Sequence, residues 1–186
     1  MRKLIYVPLV HNVFSEFAEE RIRFHFGPNP SKRSVKKFQD GLNEYWDRVD
    51  PILKFQRIDR IYQDSCLDFF GLDYYLKKYR AGADKSRNFR AICDLLDKGA
   101  RLMITESNEA KTESYFEESV MPRDNYIASR IENTLEDKET GVLFMGICHV
   151  VDQIIRARHQ TITVERIRAT GLRSLLEIAE NMKKRK

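Results

Sequence analysis

Four apolar runs in this chain of 186 residues each end on a side chain that can bind a metal or move a proton. Residues 4–10 stop at His11, 58–63 at Asp64, 102–105 at Glu106 and 142–148 at His149. An imidazole is neutral near pH 7, so it serves as ligand or base. A carboxylate at the end of a buried run must be paired, bind a metal, or work as an acid or base. Two imidazoles with one or two carboxylates suit zinc, manganese or iron, and such an ion would activate water near neutral pH. The expected metal set is therefore His11, Asp64, Glu106 and His149. The expected catalytic set is His11, Glu106 and His149, joined by Arg123, whose guanidinium would hold a carboxylate ligand or steady an oxyanion.

Each of these residues also has a plainer role open to it. Glu106 could sit in a salt bridge, and Asp64, beside Ser65 and Asp68, could cap a helix. His149 could bond to local backbone, and Arg123 could be an exposed helix charge. Asp124 would then only favour the helix start. His25 and His159 do not follow a strand and are expected to be structural.

The four groups meet only if their runs are parallel strands of one sheet, because ligands bind outside the strand carboxyl ends of open α/β sheets. Strands are expected over residues 3–10, 58–63, 101–105, 142–148 and, more exposed, 161–167. Pro8 cannot donate to a ladder, so the first run should be an edge strand or bend just before His11. A short helix is expected within 12–26, broken by Gly27-Pro28-Asn29-Pro30. Ser31 or Ser34 should cap a long helix carrying Val35, Phe38, Leu42, Tyr45, Trp46, Val49, Ile52 and Leu53 at three-four spacing, kinked or ended by Pro51. Further helices are expected over 84–98, stopped by Gly99, over 122–135, opened by Pro122, and over 150–158 and 172–184. The Glu-rich stretch 107–119 fits either a solvated helix or a loop. Strand and helix alternate throughout, which gives a single α/β domain over 1–186: a mostly parallel sheet of about five strands with helices on both faces.

Composition narrows the function. Hydrophobic residues make up 42% and charged residues 33%, as in a soluble globular chain. The net charge of +5 is spread along the sequence except for Lys183-Lys184-Arg185-Lys186, which fits a solvated tail, and no nucleic-acid-binding motif accompanies it. Cys66, Cys93 and Cys148 are odd in number and widely spaced, so neither a disulfide framework nor a zinc-thiolate site is expected and a reducing cytoplasm fits. No leader and no membrane span is expected. The G-x-S-x-G, P-loop, dinucleotide and H-E-x-x-H signatures are all missing.

Taken together, Val7-Pro8-Leu9-Val10-His11, Glu106, Pro122-Arg123-Asp124-Asn125-Tyr126-Ile127-Ala128 and the run from Gly141 through Gly146-Ile147-Cys148-His149 resemble the TraB/TIKI, ChaN and erythromycin-esterase-like superfamily. The last two pieces are similar to its R-D/N helix followed by its G-x-x-H strand. Tyr62-Gln63-Asp64 resembles the strand end of its small uncharacterised prokaryotic members. The likeness spans about residues 1–155 as scattered motifs. It implies an α/β fold with a pocket of two histidines and carboxylates. Its members include metal-dependent proteases, esterases and haem- or iron-associated proteins. Pro8 stands where many relatives carry glycine.

Two functions follow as expectations. One is a cytoplasmic hydrolase-like enzyme acting on a small molecule, with a divalent metal or an acid–base pair. The other is a non-catalytic protein that holds a small molecule, an anion or a haem-like group in the same pocket. The Trp46-bearing helix is the face on which a second copy would pair as a homodimer.

Overall fold

The computed structural model describes residues 1–9, 29, 31–116, 120–147, 149–158 and 161–168. His11, His25, Cys148, His159, the helices expected within 12–26 and over 172–184, and the basic tail lie outside the described residues. The elements in chain order are β1 (Arg2–Leu9), α1 (Lys32–Phe55), β2 (Arg60–Gln63), a 3-10 turn (Asp68–Phe70), α2 (Gly71–Gly82), α3 (Arg87–Asp97), β3 (Arg101–Met103), α4 (Asn108–Phe116), α5 (Met121–Thr134), β4 (Thr140–Gly146), α6 (Val151–Arg158) and β5 (Ile162–Arg166).

The five strands form one sheet in the order β3-β2-β4-β1-β5, with every pairing parallel. Strand period two splits the core into two halves. Ile5, Val7 and Leu9 of β1 and Val142 and Phe144 of β4 face α1, α2 and α3. Leu4, Tyr6, Leu143 and Met145 face α5 and α6. Both faces of the sheet are therefore covered, which is why β1 and β4 read as unbroken apolar runs.

β1 lies between β4 and β5, so the edge expected from Pro8 is not there. The N–H of Lys3 and the carbonyl of Leu9 bond toward β4; the N–H of Arg2 and the carbonyl of Tyr6 bond toward β5. By alternation Pro8 faces the β5 side, where pairing extends only to Tyr6 opposite Arg166. The missing donor falls beyond the end of that ladder. The Pro8 carbonyl accepts the Tyr45 hydroxyl at 2.7 Å instead.

α1 begins after Ser31 and runs through Pro51 to Phe55, so the proline does not stop it at once. Its apolar stripe packs on the sheet. Trp46 is buried and stacks on Phe144 at 6.5 Å. The expected pairing face is thus spent inside the chain's own core. α3 is capped by Ser86, whose hydroxyl accepts the Phe89 N–H, and ends at Gly99 with φ +93°. The undecided stretch after Glu106 is helix α4. α2 was not expected from the sequence. Only Tyr75 and Tyr79 of it are buried, a narrow aromatic seam rather than an aliphatic stripe. Among the described residues no helix is long and apolar enough to cross a membrane.

Gly141 shows how tightly the second layer is packed. A Cβ there would lie 3.0 Å from Tyr62 Cε2, 3.2 Å from Leu135 Cδ1 and 3.3 Å from Leu4 Cδ1. Gly141→Ala is expected to cost about 1–3 kcal/mol by overpacking, read as a lower urea midpoint with unchanged slope.

Candidate active site

β4 ends at Gly146, and a hydrogen-bonded turn carries the chain to His149, whose N–H donates to the Gly146 carbonyl at 3.0 Å. The Tyr6 hydroxyl reaches up from β1 and donates to the carbonyls of Gly146 and His149 at 3.3 and 3.2 Å. The imidazole is buried. Its Nδ1 lies 2.5 Å from Oδ1 of Asp124, a fully buried carboxylate in the first turn of α5. The other oxygen of Asp124 accepts the Val150 N–H at 2.7 Å. A carboxylate held this way is an acceptor, so the Nδ1 position carries the proton.

The second half of the site is an ion cluster. Arg123 donates Nε to Glu106 Oε2 and Nη2 to Glu106 Oε1, both at 2.7 Å, in the two-pronged geometry that guanidinium and carboxylate share. Nη2 also donates to Asp64 Oδ1 and, at 3.3 Å, to the Ser65 hydroxyl. Both carboxylates are buried. The local backbone holds them. Asp64 Oδ2 accepts the Gly146 N–H at 3.3 Å, and the Ser65 N–H donates to Glu106 Oε1. Ser65 takes φ +63° to aim that N–H, a left-handed conformation that non-glycine residues seldom adopt. The main chain of Glu106 is gripped by the segment after β2: its N–H reaches the Cys66 carbonyl at 3.2 Å and its carbonyl accepts the Asp68 N–H at 3.1 Å. Burial works against the charge on Arg123, but its bonds to Glu106 and the field of Asp64 outweigh this and raise its pKa.

The two halves touch. Arg123 Nη1 lies 3.4 Å from His149 Nε2. A guanidinium only donates, so the nitrogen facing it presents a lone pair. With Nδ1 turned to Asp124 and Nε2 turned to Arg123, both nitrogens of the buried His149 ring have fixed partners.

Asp64, Glu106, Arg123 and His149, all expected from the sequence, are thus in one cluster. His11 lies outside the described residues. The plainer roles of Asp64 as a cap and Arg123 as a surface charge do not hold, because each is bonded into the cluster, whereas the salt bridge weighed for Glu106 is present, to Arg123. Asp124, expected only to favour the helix start, is the partner of His149. Its signal was its place beside Arg123 at a helix opening. Ser65 gave no signal beyond following Asp64. As for a metal, the carboxylates of Asp64 and Glu106 already have a cation, Arg123. Among the described residues no group of three or more His, Cys, Asp or Glu side chains is placed to hold an ion. Asp64 and Glu106 share the Arg123 guanidinium, and the further ligand expected in His11 lies outside the described residues.

No family model, no curated protein and no solved structure matches this chain.

Cys66, whose carbonyl accepts the Glu106 N–H, is fully buried. Burial first, then the field of Glu106, pushes its thiol up to about 12. Burial likewise pushes the Tyr62 hydroxyl up to about 12. A group whose folded pKa is raised stabilises the fold fully below its unfolded pKa and loses that contribution as pH climbs to the folded one. The melting temperature should therefore hold from pH 7 to about 8.5, then fall between about pH 9 and 12, since the unfolded thiol and phenol ionise there first. At pH 8, iodoacetamide should modify Cys66 only in denaturant; peptide mapping that finds it alkylated in the native chain would contradict its burial.

Proposed function

We propose that this chain is a hydrolase acting on a carboxylic ester or amide, with His149 as general base, Asp124 as its orienting partner and Arg123 as the stabiliser of the oxyanion. The observation that carries this is the line Asp124–His149–Arg123, in which an oriented imidazole faces a fixed positive charge. As the substrate carbonyl oxygen takes up Arg123 Nη1, the lone pair of His149 Nε2 is released and accepts a proton from the water whose oxygen attacks the carbonyl carbon. The Asp124 carboxylate steadies the imidazolium that forms. The negative charge passing to the carbonyl oxygen falls to Arg123 Nη1, preorganised because Asp64 and Glu106 hold the other edge of the guanidinium. When the intermediate collapses, the leaving oxygen or nitrogen takes the proton back from Nε2. No step runs through a metal. The resemblance of the Pro122-Arg123-Asp124 and Gly146-Ile147-Cys148-His149 motifs to a superfamily that contains esterases and metal-dependent proteases supports hydrolysis as the reaction class, since those motifs carry the three residues that act.

The test is turnover on a panel of esters, amides and phosphate esters, with and without a chelator. Ester or amide hydrolysis that survives chelation and is lost in His149→Gln is expected. Hydrolysis abolished by the chelator would move the chemistry to a metal. A panel with no turnover, together with a small molecule that raises the melting temperature, would make the chain a binding protein instead.

A further inference from the structure

The described residues include eight large apolar side chains that stand exposed, and six of them come from two short segments, 69–74 and 120–121. Those segments flank the candidate site. Phe69 follows Asp68, whose N–H holds the Glu106 carbonyl, and Met121 lies two residues before Arg123. A random scatter of surface hydrophobes would not collect there, and clustered ones mark a binding surface.

Residues 69–74 form an ordered shelf rather than loose side chains. Phe69 is 80% exposed and meets Phe70 edge-on at 5.3 Å; Phe70 stacks on Tyr74 at 4.8 Å with the rings 24° apart. The shelf has a buried foot. Tyr75 meets Phe70 and Tyr74 edge-on, and its hydroxyl accepts the Leu67 N–H at 2.8 Å. Leu67 in turn pairs with Glu106 as a parallel bridge. The rings are therefore tied to the same backbone that holds the Arg123 cluster. Phe70 and Tyr74 are 48% and 46% exposed, so the stack keeps ring surface open to solvent, where offset or edge-on contact with a further ring is favourable.

We propose that the Phe69–Phe70–Tyr74 shelf is a subsite for a flat aromatic group of the substrate, next to the reacting carbonyl. This rests on the hydrolase reading and adds to it a substrate class: esters or amides that carry an aryl group. The occupant is a small-molecule ring rather than a partner chain, because the backbone that carries the shelf, Leu67 and Asp68, is bonded directly to Glu106 of the candidate site.

The test compares wild type with Phe69→Ser/Phe70→Ser and, separately, Tyr74→Ser. All three side chains are exposed and outside the buried core, and circular dichroism checks that each variant folds. The first readout is fluorescence titration with 2-naphthol, which needs no turnover; about tenfold weaker binding is expected in the double variant, from two lost ring contacts. The second is kcat/KM for 2-naphthyl acetate divided by that for ethyl acetate, a ratio in which intrinsic ester reactivity cancels between variants. That ratio should fall about tenfold, through KM. Weaker naphthol binding in a protein that hydrolyses no ester would leave the subsite standing and remove the hydrolase reading. Unchanged naphthol affinity in the variants would overturn the subsite. Light scattering that shows wild type pairing and the double variant monomeric would overturn it too, by assigning the shelf to a second copy of the chain.

Discussion

Arg123→Met is expected to cost about 3–5 kcal/mol of stability, because it removes the cation from a buried charge cluster and leaves the anions in place. For a chain of this size that corresponds to a drop in melting temperature of roughly 10 °C. The side chains of Glu106 and Asp64 are 0% and 2% exposed, so water cannot take over the role of the guanidinium. Methionine replaces much of the volume, which isolates the effect of charge from that of a cavity. The triple variant Asp64→Asn/Glu106→Gln/Arg123→Met should recover most of the loss, since it removes the buried charges together. A single variant that melts within about 2 °C of wild type would show that the cluster is solvated and weak, like an exposed ion pair.

Asp124→Asn is expected to lower turnover about 10⁴-fold while leaving the fold in place, by analogy of geometry with other oriented histidines. The reason lies in the two bonds that Asp124 accepts. One carboxylate oxygen faces His149 Nδ1 and the other faces the Val150 N–H. An amide has one acceptor and one donor. If its oxygen takes the Val150 N–H, its NH₂ meets Nδ1 and forces the proton onto Nε2, so the base is lost. If it turns the other way, two donors meet at Val150 and the first turn of α6 is strained. The tautomer can be read without any substrate. Ring nitrogen chemical shifts in wild type should show His149 protonated at Nδ1, and in Asp124→Asn protonated at Nε2. Wild-type shifts showing the proton on Nε2 would remove His149 as the base.

Much of the fold was legible because its elements are locally consistent. The apolar runs of β1 and β4 lie where they were expected, and the three-four stripe of α1 is its buried face. Gly99 marks the end of α3 by chemistry that needs only its own backbone, whereas the start falls at the Ser86 cap rather than at residue 84. Where a tertiary contact decided the outcome, the sequence was ambiguous or misleading. Pro8 leaves an edge or a bend before His11 open; the edge is not there, because β1 lies inside the sheet where β5 stops short of Pro8 and Tyr45 takes its carbonyl. Trp46 looks like a pairing surface until Phe144 is brought beneath it. α2 escaped notice because Tyr75 and Tyr79 are aromatic in a segment with exposed apolar neighbours, so no single stripe stands out.

The sequence by itself determined that the chain is α/β and that Asp64, Glu106 and His149 end their apolar runs on one side of the sheet. Strand period and strand direction are enough for that, since parallel strands bring all their carboxyl ends to one edge. The tertiary structure alone decided what these groups do there. It set Arg123 between two carboxylates where an ion was expected, and it gave His149 a partner 25 residues away in Asp124. Side-chain pairing at a shared edge depends on which strands are neighbours and how far each helix start reaches over them, and neither is encoded in the spacing of residues along the chain.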